Sequence, residues 1–300
     1  MGITKFFANR MFKKWEKSDN EILSAQTFPD GIESICDIFY CPNGHEKQKL
    51  DVYFPKNAAK PLPVIVNIHG GGFLAGDKKT EKLFCYHLAN RGFVVFNLNY
   101  RLAMNDTKVP GQIKDVAYAF DWIEKNIKKY PADKNSIYIS SDSAGSVLAV
   151  MVALCLKSAR LRQIYDAPSG LLSIKSIGII SGMMSFDKSG FFYGGMRRLS
   201  FDKGYKKTET YQNMRFANLP EIKELPPIFL ATSDEDELQF MTYDFEKVLQ
   251  KYNVLYKIQN YKKVKDKRLG HIFPVMRPSL DESKDLINKM LAFFKMASEK

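Results

Sequence analysis

Residues 63–73 have the sequence PVIVNIHGGGF, and residues 136–145 have the sequence SIYISSDSAG. The first opens with a continuous apolar, β-branched run, which is typical of a strand buried on both faces of a sheet. The second opens with a shorter strand pattern. Each strand then gives way to small residues, Gly70–Gly72 in one and Ser141–Gly145 in the other. Small residues allow sharp turns, so the two stretches predict buried strands that end in tight turns.

The same alternation continues along most of the chain. Further strands are predicted at 93–100, 174–180, 227–232 and 254–261, and helices at 80–91, 111–128, 144–159, 238–251 and 281–297. Strand–helix alternation of this length predicts an α/β fold with a mostly parallel sheet and helices on both faces. Right-handed crossovers place the carboxyl ends of parallel strands along one edge, where we expect the chemistry to lie.

Three segments stand outside the alternation. Residues 35–40 and 47–54 flank the turn-forming residues 42–44 and predict a β-hairpin. The first 30 residues have the spacing of an amphipathic helix. Residues 183–225, here called the insertion, show no strand pattern and are rich in aromatics, namely Phe186, Phe191, Phe192, Tyr193, Phe201, Tyr205, Tyr211 and Phe216. A connection this long is usually a lid or binding loop.

We therefore expect residues 1–300 to form one domain, with a small cap contributed by about 1–30 and 183–225. The composition is 45% hydrophobic and 26% charged, which excludes a wholly disordered chain. The net charge of +12 permits nucleic-acid or membrane binding, but Lys and Arg are interspersed with Asp and Glu throughout. This favours a solvated surface over a nucleic-acid partner.

Neither the first 20 residues nor any later stretch has an apolar run of signal-peptide or membrane-spanning length. We expect no stable membrane insertion and a cytoplasmic location. The four cysteines form no CxxC pair and no zinc-type cluster, which predicts free thiols and no metal site.

Ser143 is the first candidate catalytic residue, because it lies at a predicted strand-to-helix turn with small neighbours. Such a turn holds a serine hydroxyl clear of the backbone, and the following helix N-terminus favours a developing anion. Taken alone, the segment also fits a serine-rich helix N-cap.

The glycine loop (residues 69–73) follows its strand directly and brings bare N–H groups toward a ligand. A phosphate-binding loop would need GxGxxG or GxxxxGK[ST], and neither spacing is present. Backbone donors for an oxyanion, completed by the N–H after a nucleophile, fit better.

Acid and base candidates follow in chain order. Asp234 and Asp236 come after the strand at 227–232, and His271 lies on a loop between the last strand and the last helix. The order Ser, Asp, His makes a catalytic triad the leading hypothesis.

From about residue 47 to 297, the chain resembles an α/β-hydrolase of the hormone-sensitive-lipase-like carboxylesterase group. The resemblance is carried by HGGGF (69–73), NYRLA (99–103), Pro110, Asp115, Trp122, SDSAGSVLA (141–149), DEDEL (234–238) and GHIF (270–273). It implies the α/β-hydrolase fold, with a sheet of the eight-stranded type.

The resemblance also implies roles. Ser143 matches the nucleophile, His271 the general base, and Asp236 the acid by its register with Leu238. The residues that match the oxyanion donors are Gly71, Gly72 and Ala144, and we expect Phe73, Phe191 and Phe192 to line the substrate pocket. Two positions depart from the family's GDSAGG motif, because Ser141 and Ser146 stand where it has glycine.

The implied activity is hydrolysis of a small, short-acyl or acetyl ester through an acyl-enzyme, without a cofactor. An amidase or formamidase with the same triad stays open, as does a non-catalytic ligand-binding homologue. The oligomeric state is not predicted.

Overall fold

One eight-stranded sheet runs through the residues described by the computed structural model, which are 2–41, 44–104, 106–170, 172–186 and 190–298. Its strands are β1 (Ile32–Phe39), β2 (Lys49–Pro55), β3 (Leu62–Ile68), β4 (Val94–Leu98), β5 (Ala132–Asp142), β6 (Ile174–Ile180), β7 (Ile228–Ser233) and β8 (Tyr256–Tyr261). The order across the sheet is β1-β2-β4-β3-β5-β6-β7-β8. The strand β2 is antiparallel to both neighbours, and all other pairs are parallel. The predicted α/β fold is confirmed.

Helices cover both faces of the sheet. They are α1 (Gly2–Ser24), α2 (Lys82–Ala89), α3 (Val109–Asn126), α4 (Gly145–Lys157), α5 (Ala159–Tyr165), α6 (Phe191–Ser200), α7 (Glu209–Gln212), α8 (Gln239–Lys251), α9 (Phe273–Met276) and α10 (Asp281–Ser298). The side chains of β3 alternate between two apolar cores: Val64 and Val66 belong to the core that includes residues of α3, α4 and α8, and Ile65 to the core that includes residues of α2 and α10. This alternation explains why the buried strands are apolar throughout.

The predicted hairpin is present as the antiparallel pair β1–β2, although the turn residues 42 and 43 lie outside the described part of the chain. The strand β5 begins earlier than predicted. Its first residue, Ala132, is in register with Leu62 of β3, and regular pairing with β3 resumes at Ile137 after a register shift. The short helices α5 and α9 were not predicted, because neither is long enough to show helical periodicity. Among the described helices, none has both the length and the hydropathy needed to cross a membrane.

The insertion contains α6, α7 and several 3-10 turns, and its described residues include no strand. Its aromatic residues pack largely on one another. The Phe186 and Phe201 ring centroids lie 5.1 Å apart, and those of Phe201 and Tyr211 lie 5.2 Å apart. Phe186 also stacks on Phe73 of the glycine loop at 5.1 Å. Much of the aromatic content of the insertion therefore forms its core.

The N-terminal helix α1 contacts α9, and just beyond it the Gln26 side-chain amide donates to the Met276 carbonyl at 2.8 Å. That residues 1–30 and the insertion together form a cap over the site stays a prediction.

A buried histidine in α2 gives the fold a specific pH dependence. Burial, aided by the positive charges of Arg91 and Lys284, lowers the pKa of His87 from 6.5 to about 4. Between these values the unfolded chain binds the proton and the folded chain does not, so stability falls as the pH drops through this window. Above the pKa of His87 in the unfolded chain, both states are unprotonated and this loss of stability is absent.

We expect His87→Gln to remove this part of the acid sensitivity. From pH 7.5 to pH 5, wild type should lose about 2 kcal/mol more unfolding free energy than the variant. Urea unfolding of both proteins at the two pH values measures the difference. Equal losses in the two proteins would show that His87 is not the sensitive group.

Candidate active site

The predicted nucleophile lies in a strained turn at the carboxyl edge of the sheet. Ser143 follows β5, has a φ of 43°, and is 7% exposed. Its N–H donates to the Ile180 carbonyl, and its own carbonyl accepts from the Met183 N–H at 2.9 Å. A Cβ on Gly145 would collide with the Ile68 carbonyl oxygen, so the helix approaches the sheet this closely only with glycine there. Positive φ at a non-glycine residue is maintained by such surrounding contacts.

The three predicted triad side chains lie in one hydrogen-bonded chain. The His271 Nε2 atom is 2.9 Å from Ser143 Oγ, and its Nδ1 atom is 2.8 Å from Asp236 Oδ1. An ionised carboxylate only accepts hydrogen bonds, so the proton belongs on Nδ1. Nε2 is then left as the acceptor for the Ser143 hydroxyl, which is the arrangement that proton abstraction requires.

The structure brings Asp236, and not Asp234, to the histidine. Asp236 is buried and accepts hydrogen bonds from the Leu238 N–H at 2.9 Å and the Thr232 hydroxyl at 3.0 Å. Burial raises the pKa of Asp236, but the hydrogen bond and charge of His271 and the Leu238 N–H outweigh it, so the pKa is lowered overall. The Asp234 side chain is instead bound by Asn260 at 2.8 Å and by Lys262.

The glycine loop presents free backbone donors beside the serine. Gly71 and Gly72 have φ of 106° and 61°, and a Cβ on Gly71 would collide with the Ala75 carbonyl oxygen. Within the described part of the chain, the N–H groups of Gly71, Gly72 and Ala144 donate to no acceptor. The Gly70 N–H instead donates to Asp142 Oδ1 at 2.7 Å.

The two serines that replace family glycines are accommodated by each other. Ser141 Oγ lies 3.3 Å from Ser146 Oγ and 3.2 Å from the Gly178 carbonyl oxygen. Both serines are buried. Their hydroxyls satisfy one another beneath the turn, and Ser143 Oγ lies within 2.9 Å of His271 Nε2 with both serines present.

The other described histidines have different surroundings. His69 is buried and stacks on Tyr100 with ring centroids 4.3 Å apart, and burial lowers its pKa. His87 lies within α2, away from the carboxyl edge. No group of three or more His, Cys, Asp or Glu side chains in the described ranges is arranged to hold a metal ion.

Two sets of ion pairs near the glycine loop were not predicted from the sequence. Lys78, just beyond the loop, is buried and pairs with Asp51 at 2.6 Å and Asp37 at 2.9 Å. Arg101 and Asp115 form a bidentate pair, with Arg101 Nη2 2.7 Å from Asp115 Oδ1. The Arg101–Asp115 pair could have been predicted, since both residues are among those that carry the family resemblance.

The predicted pocket residues are only partly accounted for. Phe73 is fully buried against Phe186, and Met196 of α6 lies beside the loop, 4.0 Å from where a Cβ on Gly72 would be. Phe191 and Phe192 begin α6, but their side chains lie outside the described residues. Contact of these phenylalanines with substrate stays a prediction.

Comparisons with known proteins match most of this chain. The BD-FAE family model matches residues 50–184. The versiconal hemiacetal acetate esterase of Dothistroma septosporum is 26% identical over 257 residues, covering 81% of this chain and 76% of that protein. A probable isoprenylcysteine alpha-carbonyl methylesterase of Oryza sativa subsp. japonica is 30% identical over 108 residues, but that match covers 36% of this chain and 26% of the relative.

Solved structures match over nearly the whole length. Esterase B from Lactobacillus rhamnosis superposes with a TM-score of 0.92 at 21% identity, covering 99% of this chain and 96% of that one. The esterase of Pyrobaculum calidifontis gives a TM-score of 0.74 at 23% identity, covering 96% and 92%. These structural likenesses establish the fold. The sequence matches and the order of the motifs are similar to those of esterases with the α/β-hydrolase fold.

Proposed function

We propose that this protein is a serine esterase that hydrolyses small, short-acyl esters through Ser143, His271 and Asp236. The observation that carries the proposal is the continuous hydrogen-bonded chain from Ser143 Oγ through the imidazole to Asp236 Oδ1, at 2.9 and 2.8 Å. The nucleophile–base and base–acid contacts of a triad are both made without any movement of the chain.

In the proposed acylation step, His271 Nε2 takes the Ser143 proton as Oγ attacks the ester carbonyl carbon. The negative charge that develops on the carbonyl oxygen is received by the N–H groups of Gly71, Gly72 and Ala144. Their lack of other acceptors supports this role, because donors that are already oriented lose nothing to reorganisation. The imidazolium then returns its proton to the leaving alcohol.

Deacylation repeats these steps with water as the nucleophile, and it releases the acid and restores the Ser143 hydroxyl. Asp236 holds the imidazole in the Nδ1–H tautomer and stabilises the imidazolium in both steps. The lowered pKa of Asp236 supports this role, since the carboxylate remains ionised wherever the histidine is able to act as a base.

The surroundings of the glycine loop support a small acyl group. Phe73, Phe186 and Met196 are all buried and occupy the space next to the loop, which limits the room beside a bound carbonyl group. The site nevertheless remains accessible, because the His271 side chain is 22% exposed. An acetyl or similarly short chain fits such a site better than a long one.

A panel of p-nitrophenyl esters from acetyl to decanoyl, assayed beside matching anilides, tests the proposal. We expect kcat/KM to be highest for the shortest esters and far lower for the anilides. Faster anilide hydrolysis would favour an amidase with the same triad. Absence of turnover for every ester and anilide would favour a non-catalytic homologue.

Shortening the side chain beside the glycine loop should change chain-length preference. We expect Met196→Ala to raise the decanoyl-to-acetyl ratio of kcat/KM by about tenfold, since the lost side-chain atoms leave space for about two methylenes, each worth about 0.8 kcal/mol when buried. Leu199→Ala is the matched control, as Leu199 is equally buried on the same helix. An equal change in both variants would indicate general loosening of α6.

A further inference from the structure

Two buried carboxyl groups lie behind the glycine loop and have no part in the triad. Asp142 is 1% exposed and precedes Ser143, and Glu81 is 3% exposed and precedes α2. Asp142 Oδ1 accepts the Gly70 N–H at 2.7 Å, and Glu81 Oε2 accepts from the Asn67 side-chain amide. Among the described residues, neither carboxyl group forms an ion pair with Lys or Arg, and the nearby Lys78 pairs with Asp51 and Asp37.

The unpaired oxygen of Asp142 indicates that this carboxyl group carries a proton. Asp142 Oδ2 is buried and finds no donor within the described ranges. Two adjacent carboxylates in a buried site repel each other, and one of them takes up a proton. Burial, followed by the charge of Glu81 and a hydrogen bond with it, raises the pKa of Asp142 well above its ordinary value. An O–H on Asp142 Oδ2 that donates to Glu81 satisfies the orphan oxygen and removes the repulsion.

The other titratable groups facing the pair supply neither a proton nor a positive charge. Tyr100, after β4, donates its hydroxyl proton to the His69 carbonyl at 2.6 Å. His69, after β3, directs Nδ1 to the Gly70 carbonyl at 2.7 Å, which leaves Nε2 as a bare acceptor. Burial lowers the pKa of His69, so the ring is neutral. The proton is therefore held by the carboxyl groups themselves.

We infer that Asp142 is a positioning residue that works in its protonated, neutral form and ties the glycine loop to the serine turn (residues 141–145). Its Oδ1 atom accepts the Gly70 N–H, and its Oδ2–H donates to the Glu81 carboxylate. The proton stays on Asp142 throughout turnover, so no bond is made or broken there. A neutral group at this position holds the loop without placing a negative charge beside a developing oxyanion. This catalytic consequence rests on the proposed function, whereas the protonation state does not.

Two substitutions of Asp142 separate its hydrogen bonds to the loop from its side-chain packing. The Asp142→Asn change mimics the neutral acid, since an asparagine amide donates to Glu81 and its oxygen accepts the Gly70 N–H. With p-nitrophenyl acetate, Asp142→Ala should lower kcat by about 10- to 100-fold, because the loop loses its anchor. Asp142→Asn should restore kcat to within about threefold of wild type, with KM little changed. A kcat as low in Asp142→Asn as in Asp142→Ala, or a lower Tm in Asp142→Ala with kcat unchanged, would overturn the inference.

Infrared difference spectroscopy reads the proton directly and does not depend on activity. At pH 8, the wild-type minus Asp142→Asn spectrum should contain the C=O stretch of a protonated carboxyl group, shifted in D2O. The same subtraction with Asp234→Asn, which removes an exposed carboxylate, should lack it. A missing band would refute the protonated state. If the band is present but the protein hydrolyses no ester, the protonation of Asp142 is supported and the proposed esterase function is not.

Discussion

Ser143→Ala is expected to lower kcat for p-nitrophenyl acetate by about 10⁴-fold or more, while the protein remains folded. The hydroxyl is the only group in reach of His271 Nε2, within the described part of the chain, that can form the acyl-enzyme. Loss of one oxygen at this turn removes little packing, and the backbone contacts of residue 143 with Ile180 and Met183 are unaffected. Steady-state kinetics together with a thermal melt measure both effects.

Ser146→Ala is the matched control for this experiment. Ser146 is also a buried serine near the turn, but its hydroxyl contacts Ser141 and does not reach the histidine. We expect its kcat to stay within about threefold of wild type. Substantial turnover by pure, folded Ser143→Ala would contradict the assignment of the nucleophile.

Asp236→Asn is expected to lower kcat by about 10³-fold or more, with a smaller effect on KM. An asparagine amide facing Nδ1 donates a hydrogen bond, which favours the tautomer that carries its proton on Nε2. That tautomer cannot accept the Ser143 proton.

Asp234→Asn provides the comparison at a position only two residues away. Its carboxylate is directed to Asn260 and Lys262, so its removal should change kcat by less than about threefold. A larger loss in Asp234→Asn than in Asp236→Asn would show that the acid had been misassigned. The pair therefore tests the role of one carboxylate against a close neighbour.

The acid illustrates what a sequence pattern leaves open. Asp234 and Asp236 both follow β7, and the residues alone favoured neither until the family register was used. The two carboxylates diverge because Asp236 is buried near Thr232 and the Leu238 N–H, whereas Asp234 faces β8. Side-chain direction beyond a strand end depends on the packing of the next turn, which no local periodicity encodes.

The insertion shows that composition does not reveal whether aromatic residues form a core or line a pocket. Its length and aromatic content predict a lid or binding loop. In the structure, Phe186, Phe201 and Tyr211 pack against one another, and Phe186 also stacks on Phe73 of the glycine loop. An aromatic-rich segment without a strand pattern can build its own core as readily as a pocket, and the two cases have the same composition.

Four features can be predicted from the residues alone: the strand–helix alternation, the glycine loop, the serine turn and the position of His271 beyond β8. These are local signals, since hydrophobic periodicity and small residues at turns act over a few neighbouring positions. Long-range packing fixes three others: which aspartate reaches His271, how Ser141 and Ser146 fit beneath the turn, and the burial of both Glu81 and Asp142 behind the glycine loop. Those outcomes join residues from different strands and loops, and their distances follow from sheet register and close packing of the interior, which short-range patterns do not specify.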